Sequence, residues 1–192
     1  MLQPLFVLYR GDDKAMETPD GVWITFSSAL GLCGLSWNVK GITSFQLSGA
    51  SGQLIKKRLM NITGNVTASS TPPDWIKKLV QKVKEHLKGN VQDFSSVPLN
   101  FGGASEFQIA VYRAARKVPS GTVVTYGELA ALIGKPKASR AVGSALGKNP
   151  IPLIVPCHRV ITSSGKVGGF SAFGGVQMKV ALLCSEGVIM EP

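Results

Sequence analysis

Apolar and β-branched residues gather in two stretches early in the chain, Val22 to Ser27 and Leu30 to Val39, with turn-forming pairs at Asp20-Gly21 and Lys40-Gly41. Runs of this kind bounded by Asp and Gly predict strands. After Gly52 the pattern becomes helical. Gln53 to Met60 reads as one helix and Asp74 to Leu87 as a better one, with Pro72-Pro73 ahead of it, Asp74 in the capping place and Gly89 as its stop. Trp75, Leu79, Val83 and Leu87 fall on one line at helical spacing, which predicts a stripe facing the core.

Asn90 to Gly103 follows neither period and contains Pro98 and a Gly pair, so it predicts a connection, with a domain boundary near residue 100. Beyond it the pattern is mainly helical: Ser105 to Lys117, Tyr126 to Ile133, Ala138 to Leu146 and roughly Gly175 to Ser185. Pro119-Ser120-Gly121, Gly134-Lys135-Pro136 and Gly147-Lys148-Asn149-Pro150 supply the breaks. The expected organisation is an α/β supporting part with its connection over 1–100 and a mainly helical part over 101–192.

Tyr126 to Ile133 and Ala138 to Leu146, joined by a short Gly-Pro turn, have the dimensions of a helix-turn-helix. The second helix has two unlike faces. Ala138, Val142, Ala145 and Leu146 are apolar, whereas Arg140, Gly143, Ser144 and Gly147 form a lane of small residues around one arginine. Such a lane suits close approach to a bulky partner such as a DNA groove, and equally suits tight packing against a neighbouring helix.

Charge sharpens the choice of partner. The formal net charge is +10, and Lys and Arg exceed Asp and Glu in both halves, by eleven to seven before residue 101 and ten to four after it. A basic balance favours a polyanionic partner such as nucleic acid. Hydrophobic residues at 44% and charged residues at 17% are those of a globular chain, not a disordered one. The three cysteines, Cys33, Cys157 and Cys184, are odd in number and widely spaced, which argues against a disulfide framework and for a reducing compartment. With only His86 and His158 beside them, no usual zinc set is complete, so no metal is expected. The apolar run Pro4 to Leu8 is too short for a signal peptide and no stretch reaches membrane length, so the expectation is a cytoplasmic protein, nuclear in a eukaryote.

Cys157 is the chief candidate for chemistry. An apolar, Pro-bounded, strand-like run, Ile151 to Pro156, leads directly into Cys157-His158. Cys33 and Cys184 read as inert buried residues. A histidine base beside a thiol can generate the thiolate, the reactive form in displacement at carbon. On a regular strand, however, neighbouring side chains point to opposite faces, so the pair can cooperate only through a turn or a bridging water.

Asn149-Pro150 and Pro156-Cys-His-Arg-Val160, with Arg140-Ala-Val-Gly143 before and Lys179 to Leu183 and Glu186-Gly187 after, resemble the O6-alkylguanine-DNA alkyltransferases, also called methylated-DNA–protein-cysteine methyltransferases. The likeness runs from about Phe107 to Gly187, with a weaker trace at Gly31 to Leu35. The resemblance implies an α+β fold: a small ribonuclease-H-like N-terminal α/β domain and a mainly helical, winged helix-turn-helix C-terminal domain. It implies single-use, cofactor-free transfer of an alkyl group from O6-alkylguanine in double-stranded DNA, with O4-methylthymine as a second candidate substrate, by a monomer.

Residue by residue, the resemblance makes Cys157 the acceptor, His158 its base through a water, Glu186 the group that orients the histidine and Asn149 the brace of the turn. Arg140 is similar to the arginine that fills the gap left by a flipped nucleotide. Tyr126 is similar to the tyrosine that helps turn the nucleotide out and contacts the guanine. Val160 and Ser171 fall where backbone groups bind the base, and Phe170 where an aromatic covers it. Lys135, Ser139, Gly143 and Ser163 fall at DNA contacts in the minor groove. The sequence departs from the common pattern in three places: Phe170 stands where Tyr is frequent, Ala172-Phe173 is an extra pair, and Ala181 replaces a common Trp. Two other readings compete. A non-catalytic alkyltransferase-like DNA binder lacks the acceptor that Cys157 supplies, and a cysteine hydrolase leaves the arginine helix and the basic charge without a role.

Overall fold

The computed structural model describes residues 21–49, 51–63 and 68–190; the run Pro4 to Leu8 lies outside them. Strands β1 (Val22–Ser28), β2 (Gly31–Asn38) and β3 (Gly41–Gln46) form an antiparallel sheet in the order β1-β2-β3. The register sets Phe26 opposite Cys33, and Leu35 opposite both Ile24 and Phe45. Sequence pattern reveals β1 and β2 but not β3, whose six residues mix Thr, Ser and Gln with two apolar positions. Gly41 starts β3 at φ +136°, and a Cβ there would lie 2.5 Å from the Pro98 carbonyl oxygen, so only glycine lets the connection approach. That connection then pairs with β3: Ile42 N donates to Pro98 O and Asn100 N to Ile42 O.

Helix α1 (Gly52–Ile62) is capped by the Ser51 side chain, which accepts from Leu54 N. In α2 (Asp74–His86) Pro73 occupies the cap position, and Asp74 is instead the first helical residue, paired with Lys77 at 2.9 Å. The expected stripe holds at Leu79, Val83 and Leu87, which are buried, and is corrected at Trp75, which is 38% exposed; Ile76 and His86 complete the buried face instead. A strict four-residue step overshoots each 3.6-residue turn by about 40°, so a line beginning at Trp75 starts well round from the core.

Helices α3 (Glu106–Ala115) and α4 (Tyr126–Leu132) both open with complete capping boxes, Ser105 with Gln108 and Thr125 with Glu128. Helix α5 (Ser139–Gly147) follows the Gly134 turn, with Ala138 at its cap. Strand β4 (Val124–Thr125) runs parallel to β5 (Val160–Ile161), pairing Val124 with Val160 and Thr125 with Ile161. Helix α6 (Gly175–Ser185) is the last element among the described residues. One continuous apolar cluster joins Phe26, Leu35 and Phe45 of the sheet to Leu79 and Val83 of α2, and on to Val111, Leu129, Val142 and Leu182. Fully burying each such side chain contributes ~1.5–3 kcal/mol. The architecture is α+β. Among the described residues no helix is long and apolar enough to cross a membrane.

Candidate active site

The segment before Cys157 is not a strand. Val155 N returns to Ile151 O, Leu153 takes a left-handed φ of +72°, and every residue from Ile151 to Val160 is buried. A non-glycine residue at positive φ persists only where its surroundings impose it. Cys157–Arg159 then form a single 3-10 turn, so Cys157 and His158 do not alternate across a pleat. Asn149 ties the turn together: its Oδ1 accepts from Ile151 N at 3.0 Å, and its Nδ2 donates to Val155 O at 2.9 Å and to Cys157 Sγ at 3.2 Å. The sheet supports this corner, since Phe45 N donates to Pro150 O.

Behind the turn lies a buried ionic cluster on Glu186. Arg159 grips its carboxylate with Nε on Oε2 at 2.9 Å and a terminal nitrogen on Oε1 at 2.7 Å, a bidentate pair. The same guanidinium donates to Val118 O and Ser120 Oγ. His158 Nε2 donates to Oε1 at 3.1 Å, and His86 Nε2 to the same oxygen at 2.9 Å. Burial opposes the charge on Glu186, but the hydrogen bonds from His158, His86 and Arg159 outweigh it and hold the carboxyl well below its usual range. A carboxylate only accepts, so His158 carries its proton on Nε2. Its Nδ1 is buried and makes no hydrogen bond among the described residues. Burial lowers the pKa of His158 despite Glu186, which keeps the ring neutral near pH 7.

Burial also raises the pKa of the Cys157 thiol, opposed by the Asn149 amide, the Lys179 ammonium and the backbone N–H groups of Cys157 and His158. Lys179 is fully buried, and its Nζ donates to Val160 O at 2.7 Å, Val167 O at 2.6 Å and Gly169 O at 3.4 Å. Desolvation pulls its pKa down to about 8, against the pull of Cys157. Cys157 is 7% exposed and forms part of the wall of a cavity of about 320 Å³ that it shares with Tyr126, Gly143, Leu146, Gly147, Gly169, Phe170 and Ser171. That volume lies at the small end of ligand pockets, ~300–1,000 Å³.

The structure therefore gathers Cys157, Tyr126, Gly143, Phe170 and Ser171 around one cavity, with His158, Glu186 and Asn149 behind it. The β4–β5 pairing places Thr125, and hence Tyr126, beside the residues that follow the turn. Val160 does not line the cavity; its N–H bonds to Cys157 O and its carbonyl accepts from Lys179. Arg140, Lys135 and Ser163 are exposed, and Ser139 is half-buried at the start of α5. Gly143 presents its backbone to the Tyr126 ring, so the lane of small residues serves both helix packing and the cavity wall. Phe173, of the extra pair, lies under the Arg58 guanidinium at 3.9 Å from its ring centre, tying the loop to α1. Cys33 is buried, but Cys184 is exposed, contrary to expectation, because it falls on the outer side of α6 while Leu182 and Leu183 turn inward.

Sequence reasoning left Arg159, Lys179 and His86 without roles. Arg159 adjoins the histidine, and Lys179 is a lone cation in an apolar helix at the spacing of Met178 and Leu182, a signal that a core position is charged. His86 sits a hundred residues from Glu186, and no spacing could have joined them.

The fold and the site together define a class, an α+β protein in which a helix of nucleic-acid-binding dimensions forms one wall of a cavity that contains a cysteine. The sequence profile described as the 6-O-methylguanine DNA methyltransferase, DNA binding domain, matches residues 106–188. The methylated-DNA–protein-cysteine methyltransferase of Salmonella typhimurium is 41% identical over 138 residues, 70% of this chain and 77% of that protein. That of Methanothermobacter thermautotrophicus is 43% identical over 122 residues, 64% and 67% of the two chains. The crystal structure of Mycobacterium tuberculosis OGT in complex with DNA superposes with a TM-score of 0.68 at 34% identity, covering 85% of this chain and 91% of that one. The chain belongs to the methylated-DNA–protein-cysteine methyltransferase family.

Proposed function

We propose that this protein repairs duplex DNA by moving a methyl or larger alkyl group from O6 of guanine irreversibly onto Cys157. The observation that carries the reading is that α5, the helix bearing exposed Arg140, also supplies Gly143, Leu146 and Gly147 to the cavity in which Cys157 lies. A base turned out of the duplex beside Arg140 thus meets the sulfur directly. Flipping is required because O6 is otherwise buried in the stack, and a damaged pair costs least to open. Arg140 occupies the gap, while Lys135, Ser139, Gly143 and Ser163 hold the backbone.

In the reaction His158 Nδ1 takes the thiol proton through one bridging water, and the imidazolium is stabilised by Glu186. The thiolate attacks the alkyl carbon, the carbon–O6 bond breaks, and its electron pair passes into the purine. Tyr126 donates the proton or hydrogen bond that the leaving base needs. Burial raises the Tyr126 pKa and Cys157 raises it further, which keeps the hydroxyl protonated for that task. Phe170 covers the base, and the backbone of Ser171 reads its edge, whereas Val160, with its N–H and carbonyl already paired, supports the turn from behind. The thioether product is stable, so each molecule acts once and needs no cofactor. Residues 1–100 read as a ribonuclease-H-like supporting domain with its connection, and 101–192 as a winged helix-turn-helix that binds DNA and holds the acceptor.

The test is intact-mass measurement after incubation with an oligonucleotide carrying O6-methylguanine. The expected result is a gain of one methylene equivalent on the peptide containing Cys157, with Cys157→Ala binding the DNA and gaining nothing. A mass gain elsewhere, or none, overturns the reading.

A further inference from the structure

We infer that His86, supplied by α2 of the N-terminal half, is a positioning residue for the reaction at Cys157: it locks the Glu186 carboxylate that in turn orients His158. The inference rests on the proposed alkyl transfer and extends it to a residue outside the matched DNA-binding domain.

Both nitrogens of His86 are committed. Nδ1 accepts from Gln92 N at 3.0 Å, so the ring proton resides on Nε2, and Nε2 faces Glu186 Oε1 at 2.9 Å. The side chain is fully buried, and Phe94 packs on the ring at 5.2 Å between centres. His86 is therefore held as a donor with one direction to donate. Its target is not a spare oxygen. Oε1 is the atom that accepts from His158, at 3.1 Å, while Arg159 straddles both oxygens. The carboxylate is fixed by three side chains from two elements: His86 of the last turn of α2, and His158 and Arg159 of the 3-10 turn. Removing the α2 side leaves Oε1 with one donor fewer, so that the Arg159 fork and His158 alone set its angle to the imidazole.

A second consequence concerns charge. The groups facing His158 are Glu186 from the end of α6, Arg159 on its own turn and His86 from α2. Those facing Cys157 are Tyr112 of α3, Tyr126 of α4 and Lys179 of α6. A hydrogen bond from His86 draws electron density from Oε1, which would otherwise favour a second proton on His158. Loss of that donor moves the acid limb of the rate profile upward, since His158 is then protonated at higher pH and cannot accept from the thiol.

The experiment compares two amides at position 86. In Gln the amide nitrogen reaches where Nε2 was and can donate to Glu186. In Asn the amide reaches only the place of Nδ1, so it can hold Gln92 N but not Glu186. Single-turnover transfer from an O6-methylguanine duplex is followed by intact mass across pH, with DNA affinity and thermal unfolding measured alongside. H86N is expected to react about tenfold or more slowly, the worth of one charge-assisted hydrogen bond, with its acid limb shifted upward and DNA affinity unchanged. H86Q recovers most of the rate and the original limb. Equal rates for the two variants, or better recovery by Asn, mean that His86 serves only to hold Gln92 and overturn the inference. Should H86N not fold, H86F, which fills the space without a donor, takes its place. A wild-type chain that gains no mass refutes the alkyl transfer itself, whereas a reactive wild type with unaffected variants refutes only the role of His86.

Discussion

His158 Nε2 and Glu186 Oε1 lie 3.1 Å apart in a region closed to solvent, and the contact determines which nitrogen of the ring can act as a base. Glu186→Gln replaces an all-acceptor group by one that presents an NH2 to three donors and leaves Arg159 without its counter-charge. Breaking a buried pair in this way costs about 3–5 kcal/mol. The variant is expected to unfold at markedly lower urea concentration and to transfer alkyl groups far more slowly than wild type. Unchanged stability would show that the cluster is not what fastens α6 to the turn.

Stability should depend on pH through His158. Burial lowers its folded-state pKa below the ordinary 6.5, so the unfolded chain binds a proton more readily than the folded one. The stabilisation is fully present above that ordinary value and is lost as pH falls from it through the folded pKa. The melting temperature is expected to decline below about pH 6.5, and His158→Gln should flatten part of that slope. A slope identical in the variant places the effect elsewhere.

Lys179 couples Cys157 to the segment that leads into Phe170. Its ammonium lowers the Cys157 thiol pKa and also gathers the carbonyls of Val160, Val167 and Gly169. Lys179→Gln removes the charge, so the pH midpoint for alkylation of Cys157 by iodoacetamide should rise. It also leaves carbonyls short of donors, at about 1–3 kcal/mol each where no water replaces the bond. A midpoint that stays put would mean that the ammonium is too well screened to act on the sulfur.

Arg140 is exposed on α5 and is not part of the wall of the Cys157 cavity. Arg140→Ala should slow repair in duplex DNA much more than reaction with free O6-benzylguanine, which needs no flipping. Equal slowing on both substrates would assign the arginine to structure.

How much of this the sequence disclosed depends on the range of each interaction. Helices α1 to α6 and their breaks are legible because caps, glycines and prolines act within a turn. β3 is not, because its strand state is set by pairing with β2 and by the Pro98 strap. At the site, Cys157, His158, Asn149 and Glu186 come from motif likeness, and their placement in space comes from the turn at Leu153 and the 3-10 turn. The helical stripe is right at Leu79, Val83 and Leu87 and fails only at Trp75, because strict four-residue spacing ignores helical drift. His86 stayed silent because its partner is remote along the chain and its neighbours carry no motif.

Both histidines of this sequence end on the same carboxylate, out of reach of solvent. Histidine is the side chain whose unperturbed titration falls between about pH 5 and 8. The basic exterior consequently holds a nearly constant field across that interval. Attraction to a polyanion is then tuned by ionic strength, through release of condensed counterions, while acidity reaches only the chemistry inside.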